Sequence, residues 1–240
     1  CDPSSRESGR PEAEKGDESM VRVASQENGG ARRRTQAERT ATAHRRMIRA
    51  AVRLIARQGY TRTTLAQVGK EAGYTGGLVS HHFGSKEGLA RALVERAAGR
   101  FYQDQLLAAT RGKSGLDALC ASMDTYLDEL VVREEYMRAL YALMGEALGP
   151  VAEINEVFAE LNRGFRHCAR SWIREGIDAE EIRSDLDADA EAAVFVGMLR
   201  GVATQWMADP RCFDLDAVRE SLKDTLRRHL AVRGEGEDGD

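Results

Sequence analysis

Apolar residues recur at helical spacing along most of this chain, and no stretch shows the alternation of a half-buried strand. Met47, Ile48, Ala51, Leu54 and Ile55 share one face and predict a helix from about Thr42 to Gln58, stopped by Gly59. Leu65, Val68, Gly69 and Ala72 repeat at i, i+3, i+4, i+7, which predicts a short helix capped by Thr63 or Thr64 and ended by Gly73. Two residues on, Thr75 can cap a third helix. Ser85 caps a longer one, carrying Leu89, Ala92, Leu93 and Arg96 and running past Gly99 toward Thr110. After a break at 111–115, further apolar faces run from Leu116 to Leu130, from Tyr136 to Leu148, and from Ile154 to Trp172. Gly149-Pro150 ends the second of these and Gly176 the third. Helices over about Asp187–Met207 and Asp214–Val232 complete an all-α protein of about nine helices.

Charge divides the chain more sharply than hydropathy does. The net charge of −4 is an average over unlike parts. Residues 31–100 carry 15 basic and 4 acidic groups, whereas residues 101–240 carry 16 basic and 28 acidic ones. A basic segment joined to an acidic remainder is the footprint of a nucleic-acid-binding module attached to a part that does not bind it. Residues 1–40 and 233–240 hold few apolar side chains and are expected to be disordered tails. Within the first, the run 31–34 (ARRR) has the character of a flexible basic arm. No apolar run reaches membrane-spanning length and no apolar segment follows the start, so a cytoplasmic, nucleoid-associated protein without a membrane partner is expected. The four cysteines form no C-x-x-C pair, which argues against a disulfide framework or a zinc site.

The stretch from Thr75 to Leu89, TGGLVSHHFGSKEGL, permits three chemistries. A phosphate loop needs lysine directly after its second glycine and a strand before it; here Lys86 follows Ser85 and a helix precedes. A helical metal pair needs i, i+4 spacing, but His81 and His82 are adjacent. Neither a metal nor a cofactor is therefore expected, and no catalytic constellation stands out. The third chemistry is the second helix of a helix-turn-helix, whose start meets base edges in the major groove. Val79 and Phe83 then face inward, leaving Leu78, Ser80, His81 and His82 outside, with Lys86 placed to meet a phosphate. Gly76 and Gly77 would let backbone approach DNA closely.

Residues 44–89, above all GYTRTTLAQVGKEAGYTGGLVSHHFGSKEGL (59–89), resemble the DNA-binding domain of TetR-family (tetracycline-repressor-like) transcriptional regulators. The match includes Gly59-Tyr60, Thr64, Val68, Ala72-Gly73, Thr75, Gly77, Val79, His82-Phe83 and Ser85-Lys86-Glu87. The resemblance implies DNA contacts from Thr64, Thr75, Gly76, Leu78, Ser80, His81, His82 and Lys86, to which Arg45 and Arg49 of the preceding helix are added. Gly69 stands where alanine is common and Ser80 where a phosphate-binding tyrosine is common. It further implies a helix-turn-helix domain over 41–88 and a helical ligand-binding and dimerisation domain over 89–232.

For the ligand pocket, the bulky residues Met123, Tyr126, Tyr141, Met144, Phe158, Phe165 and Trp172 are the candidates, suited to an apolar or amphipathic small molecule. For a homodimer, Gly197 and Gly201 offer a smooth strip, flanked by Val194, Met198 and Gln205 and joined by Leu222 and Leu226 of the last helix. The expected function is that of a sequence-specific repressor released from a double-stranded operator by its effector. The competing expectation is a non-specific architectural DNA binder, which the acidic C-terminal part disfavours.

Overall fold

The computed structural model describes residues 35–149 and 154–232, apart from the side chains of Tyr102 and Gln103; of the expected tails 1–40 and 233–240, residues 1–34 and 233–240 lie outside the described residues. Within the described residues nine helices follow one another: α1 (Gln36–Gln58), α2 (Leu65–Ala72), α3 (Gly76–Phe83), α4 (Lys86–Arg100), α5 (Gly115–Val132), α6 (Glu134–Ala147), α7 (Asn155–Asp178), α8 (Ala188–Ala208) and α9 (Leu215–Leu230). A π-helical segment, Phe101–Leu106, and a last α-turn, Leu107–Thr110, prolong α4 without a break. Among the described residues the strand-like pairing is limited to one bridge, Ile182 with Ala231, which ties the α7–α8 connection to the end of α9.

The helix ends follow local chemistry. Thr64, not Thr63, caps α2: its hydroxyl accepts from the Gln67 N–H while the Gln67 side chain accepts from the Thr64 N–H. Thr63 is instead buried and donates to the Gly59 carbonyl. Gly73 ends α2 in the left-handed region at φ 78°. Thr75 and Ser85 accept from the N–H groups of Leu78 and Gly88 and so cap α3 and α4. Two boundaries differ from the periodicity. Helix α1 starts at Gln36, because polar residues there continue the helix before its apolar stripe begins, so 36–40 are not part of a disordered tail. Helix α7 runs through Gly176 to Asp178. Gly176 is needed for contact instead of termination, since a Cβ there would lie 2.6 Å from Ile182 Cδ1.

One apolar core runs through the whole described unit. Met47, Ile48, Ala51 and Ile55 of α1 are almost fully buried, and α1 packs against α2, α4 and α6. Helices α2 and α3 pack on each other as the helix-turn-helix. The C-terminal layer is built from α5, which touches α7, α8 and α9, and from the long α7–α8 pair.

The α2–α3 contact is closer than an alanine-spaced one. A Cβ on Gly69 would stand 2.6 Å from the Thr75 carbonyl carbon and 2.7 Å from the Gly76 nitrogen. Gly76 has its own constraint: a Cβ there would lie 2.9 Å from the Ala66 Cα. These neighbours are backbone and cannot swing aside. Gly69→Ala, although it introduces the residue common at this position, is therefore expected to destabilise the protein by about 1–3 kcal/mol. Chemical denaturation compares the variant with the parent; equal or greater stability would show that α3 can retreat freely.

Candidate nucleic-acid interface and ligand cavity

Helix α3 presents its start outward. Thr75, Gly77 and His81 are exposed, and Thr64 at the start of α2 is exposed beside them in the same motif. Val79 is fully buried and Phe83 packs against the core, as the motif requires. Three expectations are modified by packing. Gly76 is half-buried against Ala66, so its lack of a side chain also serves the α2–α3 contact. Leu78 is half-buried against the core. His82 is half-buried among rings, with His81 and His44 at centroid distances of 6.0 and 6.3 Å. His44 of α1 itself rests on the Phe83 ring at 4.7 Å. Burial, followed by the fields of His82 and Arg96, holds its imidazole below the ordinary value and so keeps it neutral. Ser80 spends its hydroxyl on the Gly84 carbonyl at 3.3 Å. Arg45 and Arg49 are exposed and border a groove between α1, α4 and the α5–α6 corner, together with Arg96 and Arg100.

Lys86 is turned toward the protein. Its ammonium donates to the Thr61 carbonyl at 3.0 Å and lies 4.2 Å from the centre of the Tyr60 ring. Burial pulls its pKa down, against the opposing fields of Glu146 and Glu87. The same loop is gripped from the other side by Glu146 of α6. Its carboxylate accepts from the Tyr60 N–H at 2.7 Å, the Thr61 N–H at 2.8 Å, and the Thr61 hydroxyl. These bonds bridge more than eighty residues of sequence, and residue spacing carries no sign of them.

Between the C-terminal helices lie two small adjoining pockets, partly open to solvent, which form the two lobes of a narrow cavity. Phe101, Tyr126, Phe165 and Arg200 line both lobes. One lobe is closed by apolar groups, among them Leu106, Trp172, Phe195 and Leu199. The other also meets Glu129, Arg133 and Tyr136. Of the seven pocket candidates, Tyr126, Phe165 and Trp172 reach this cavity. Tyr141 stands behind it, hydrogen-bonded through its hydroxyl to Tyr126. Burial raises the pKa of both phenols and keeps them protonated. Met123 is fully buried in the core, and Met144 and Phe158 border a separate groove near the end of α6. Arg200 escapes any reading that looks for bulky apolar residues. It has a sequence signal all the same: it is the one charged residue between Ala192 and Ala208.

On α8, Val194, Gly197, Gly201 and Gln205 form an exposed stripe, Val194 being 52% exposed. Cβ atoms on either glycine would meet nothing within 4 Å in this chain. Met198 and Leu222 are half-buried at its margin. Leu226 is a correction: it is 3% exposed and packs inside the protomer, since the α9 face that carries it lies on α5.

Glu146 supplies the most directly testable part of this geometry. Glu146→Gln keeps the size of the side chain but gives up its charge and replaces one acceptor by a donor facing N–H groups. A drop in stability of about 1–3 kcal/mol is expected, read as a lowered midpoint in thermal or urea unfolding. An unchanged midpoint would show that the loop is held without these bonds.

Comparisons with known proteins agree with this architecture. The family model for bacterial regulatory proteins of the tetR family matches residues 47–93, and that for the C-terminal part of BetI-type transcriptional repressors matches residues 116–231. The HTH-type transcriptional regulator TtgR of Pseudomonas putida is 26% identical over 216 residues, covering 84% of this chain and 99% of that protein. A transcriptional regulator from Saccharomonospora viridis, solved in complex with choline, superposes with a TM-score of 0.70 at 22% identity, over 80% of this chain and 100% of that one. FadR from Bacillus subtilis, solved in complex with stearoyl-CoA, superposes with a TM-score of 0.69 at 21% identity, over 76% of this chain and 97% of that one. With its outward α3, its cavity-bearing helical layer and matches to both parts, this chain belongs to the TetR family of bacterial transcriptional regulators.

Proposed function

We propose that the protein is a homodimeric repressor that binds a double-stranded operator through α3 and leaves it when a small apolar or amphipathic effector enters the C-terminal cavity. Such a protein works in the cytoplasm, at the nucleoid. The observation that carries this reading is the course of α6. Tyr141 meets the cavity through Tyr126, Met144 accepts from Arg200, and Glu146 grips the loop that precedes α2. These three residues span about 8 Å of helix axis at the usual rise. A ligand that parts the cavity walls moves α6, and α6 cannot move without pulling on the helix-turn-helix. Related proteins are seen with ligands as unlike as choline and stearoyl-CoA, so the effector here is read from this cavity alone.

Thr75 and His81 are the exposed side chains of α3 best set to reach base edges. Thr75→Ala and His81→Ala are expected to change sequence preference, by about 1–3 kcal/mol at the base each one reads. In the free protein the Lys86 ammonium rests on the Thr61 carbonyl, and on the operator it turns to a phosphate, so Lys86→Ala is expected to weaken binding to all sequences and to make the salt slope shallower by about one unit for each phosphate no longer neutralised. Mobility-shift titrations over a salt series measure both effects. Equal affinity for the selected operator and random DNA would reject the repressor in favour of an architectural binder.

The dimer reading is supported by the exposed small-residue stripe of α8, since two recognition helices need a fixed half-site spacing. Gly201→Arg points a large cation into open solvent within one chain and into a neighbouring helix across a two-fold. It is expected to yield monomers in sedimentation velocity and to abolish tight operator binding. A dimer of unchanged stability would move the interface elsewhere.

A further inference from the structure

We infer that the cavity takes an amphiphile with an anionic head, held by Arg200 at the junction of the two lobes, with its apolar tail in the lobe closed by Trp172, Phe195 and Leu199. The inference rests on the cavity being the effector site. Among the described residues no carboxylate pairs with Arg200, and its Nε is buried without a hydrogen-bond partner. Its Nη1 faces the Met144 sulfur at 3.3 Å, a weak acceptor, and the guanidinium lies 5.5 Å from the centre of the Phe165 ring. Its further polar neighbour is the Tyr141 phenol, which is neutral and balances no charge. Arg200 is half-buried, with its Nε closed off from solvent, so an anion entering the cavity would meet a cation that has few other partners.

The remaining charges of the cavity do not supply the counter-ion. Glu129 is engaged by Gln105 at 2.6 Å and by Arg133 at 3.4 Å. With that pair balanced, Arg200 leaves the lining with one uncompensated positive charge. This charge disfavours a cationic ligand, and Arg200 already occupies the face of Phe165 that a quaternary ammonium would use. The Tyr126–Tyr141 hydroxyl pair adds a donor, because one phenol proton is used between the rings and the other is left over. Guanidinium and phenol together suit a carboxylate or a similar anion. The lobe beyond them is lined mainly by carbon, with the Cys168 thiol and a Ser122 hydroxyl already bonded to the Leu119 carbonyl as its further polar groups, which places the tail.

Three probes of equal chain length separate charge from apolar affinity: decanoate, 1-decanol and decyltrimethylammonium, titrated into the full chain by calorimetry. Decanoate is expected to bind at least about tenfold more tightly than either of the others. Arg200→Gln is expected to erase that preference while 1-decanol binds as before, and Arg200→Lys to retain most of it. Far-ultraviolet circular dichroism checks the fold of both variants. Because the three-probe comparison uses the unaltered chain, it decides the charge preference even if Arg200→Gln does not fold. Equal or tighter binding of the alcohol or the ammonium overturns the inference. Failure of all three probes to bind also overturns it, as does an intact decanoate preference in a folded Arg200→Gln. If decanoate binds as expected but leaves the operator complex intact, the release step of the proposed function fails while the Arg200 site stands.

Discussion

The seam between α1 and α6 is the contact on which both halves of the molecule depend. Helix α1 belongs by sequence to the basic N-terminal segment, yet α2 and α4 cover only part of its apolar stripe. Helix α6 covers the rest of it. The helix-turn-helix therefore shares its core with the C-terminal layer and is not an appended bead on a linker. The Glu146 carboxylate then sets the register of this seam, because directional bonds to two backbone N–H groups cannot slide as apolar contacts can.

In the proposed function this arrangement is what lets a narrow cavity act on the distant surface of α3. Close-packed interiors transmit displacement more readily than they absorb it. An occupant that needs more room than the two lobes offer has to displace Phe101, Tyr126, Phe165 or Arg200, which come from the α4 extension, α5, α7 and α8. Two of the groups beside them, Tyr141 and Met144, sit on the helix that also holds the loop preceding α2. The proposed coupling asks for no long path, only for a rigid helix with different partners at neighbouring turns.

Much of the fold is legible in the sequence because the rules involved are local. Periodicity locates the helices, and threonine, serine and glycine mark where α2, α3 and α4 begin or end. The helix-turn-helix is readable for the same reason, since its residues are close in sequence and its geometry is fixed by caps and glycines. What stays hidden depends on contacts between distant segments. Bulk alone cannot tell Met123, which fills the core, from Tyr126, which lines the cavity, because both occupy the inner face of α5. Leu226 has the character of an interface residue, yet α5 covers it. The packing of Gly76 on Ala66 is likewise hidden, because the nearness of Ala66 has no sequence signature. Arg200 is the exception, a charge inside an apolar helix that a polarity-minded reading finds at once.

The π-helical turn that prolongs α4 has a further meaning. Phe101 and Leu106 are both buried, five positions apart, a spacing that a regular α-helix would send to different sides. The wider turn absorbs one residue and brings both into line. Upstream of it the helix keeps phase with the helix-turn-helix; downstream it keeps phase with the cavity wall. A single-residue deletion here would restore a uniform helix but rotate one of those halves out of register with the other. The number of residues in this rod is thus constrained by phase, whereas its side chains are constrained only by their own neighbours.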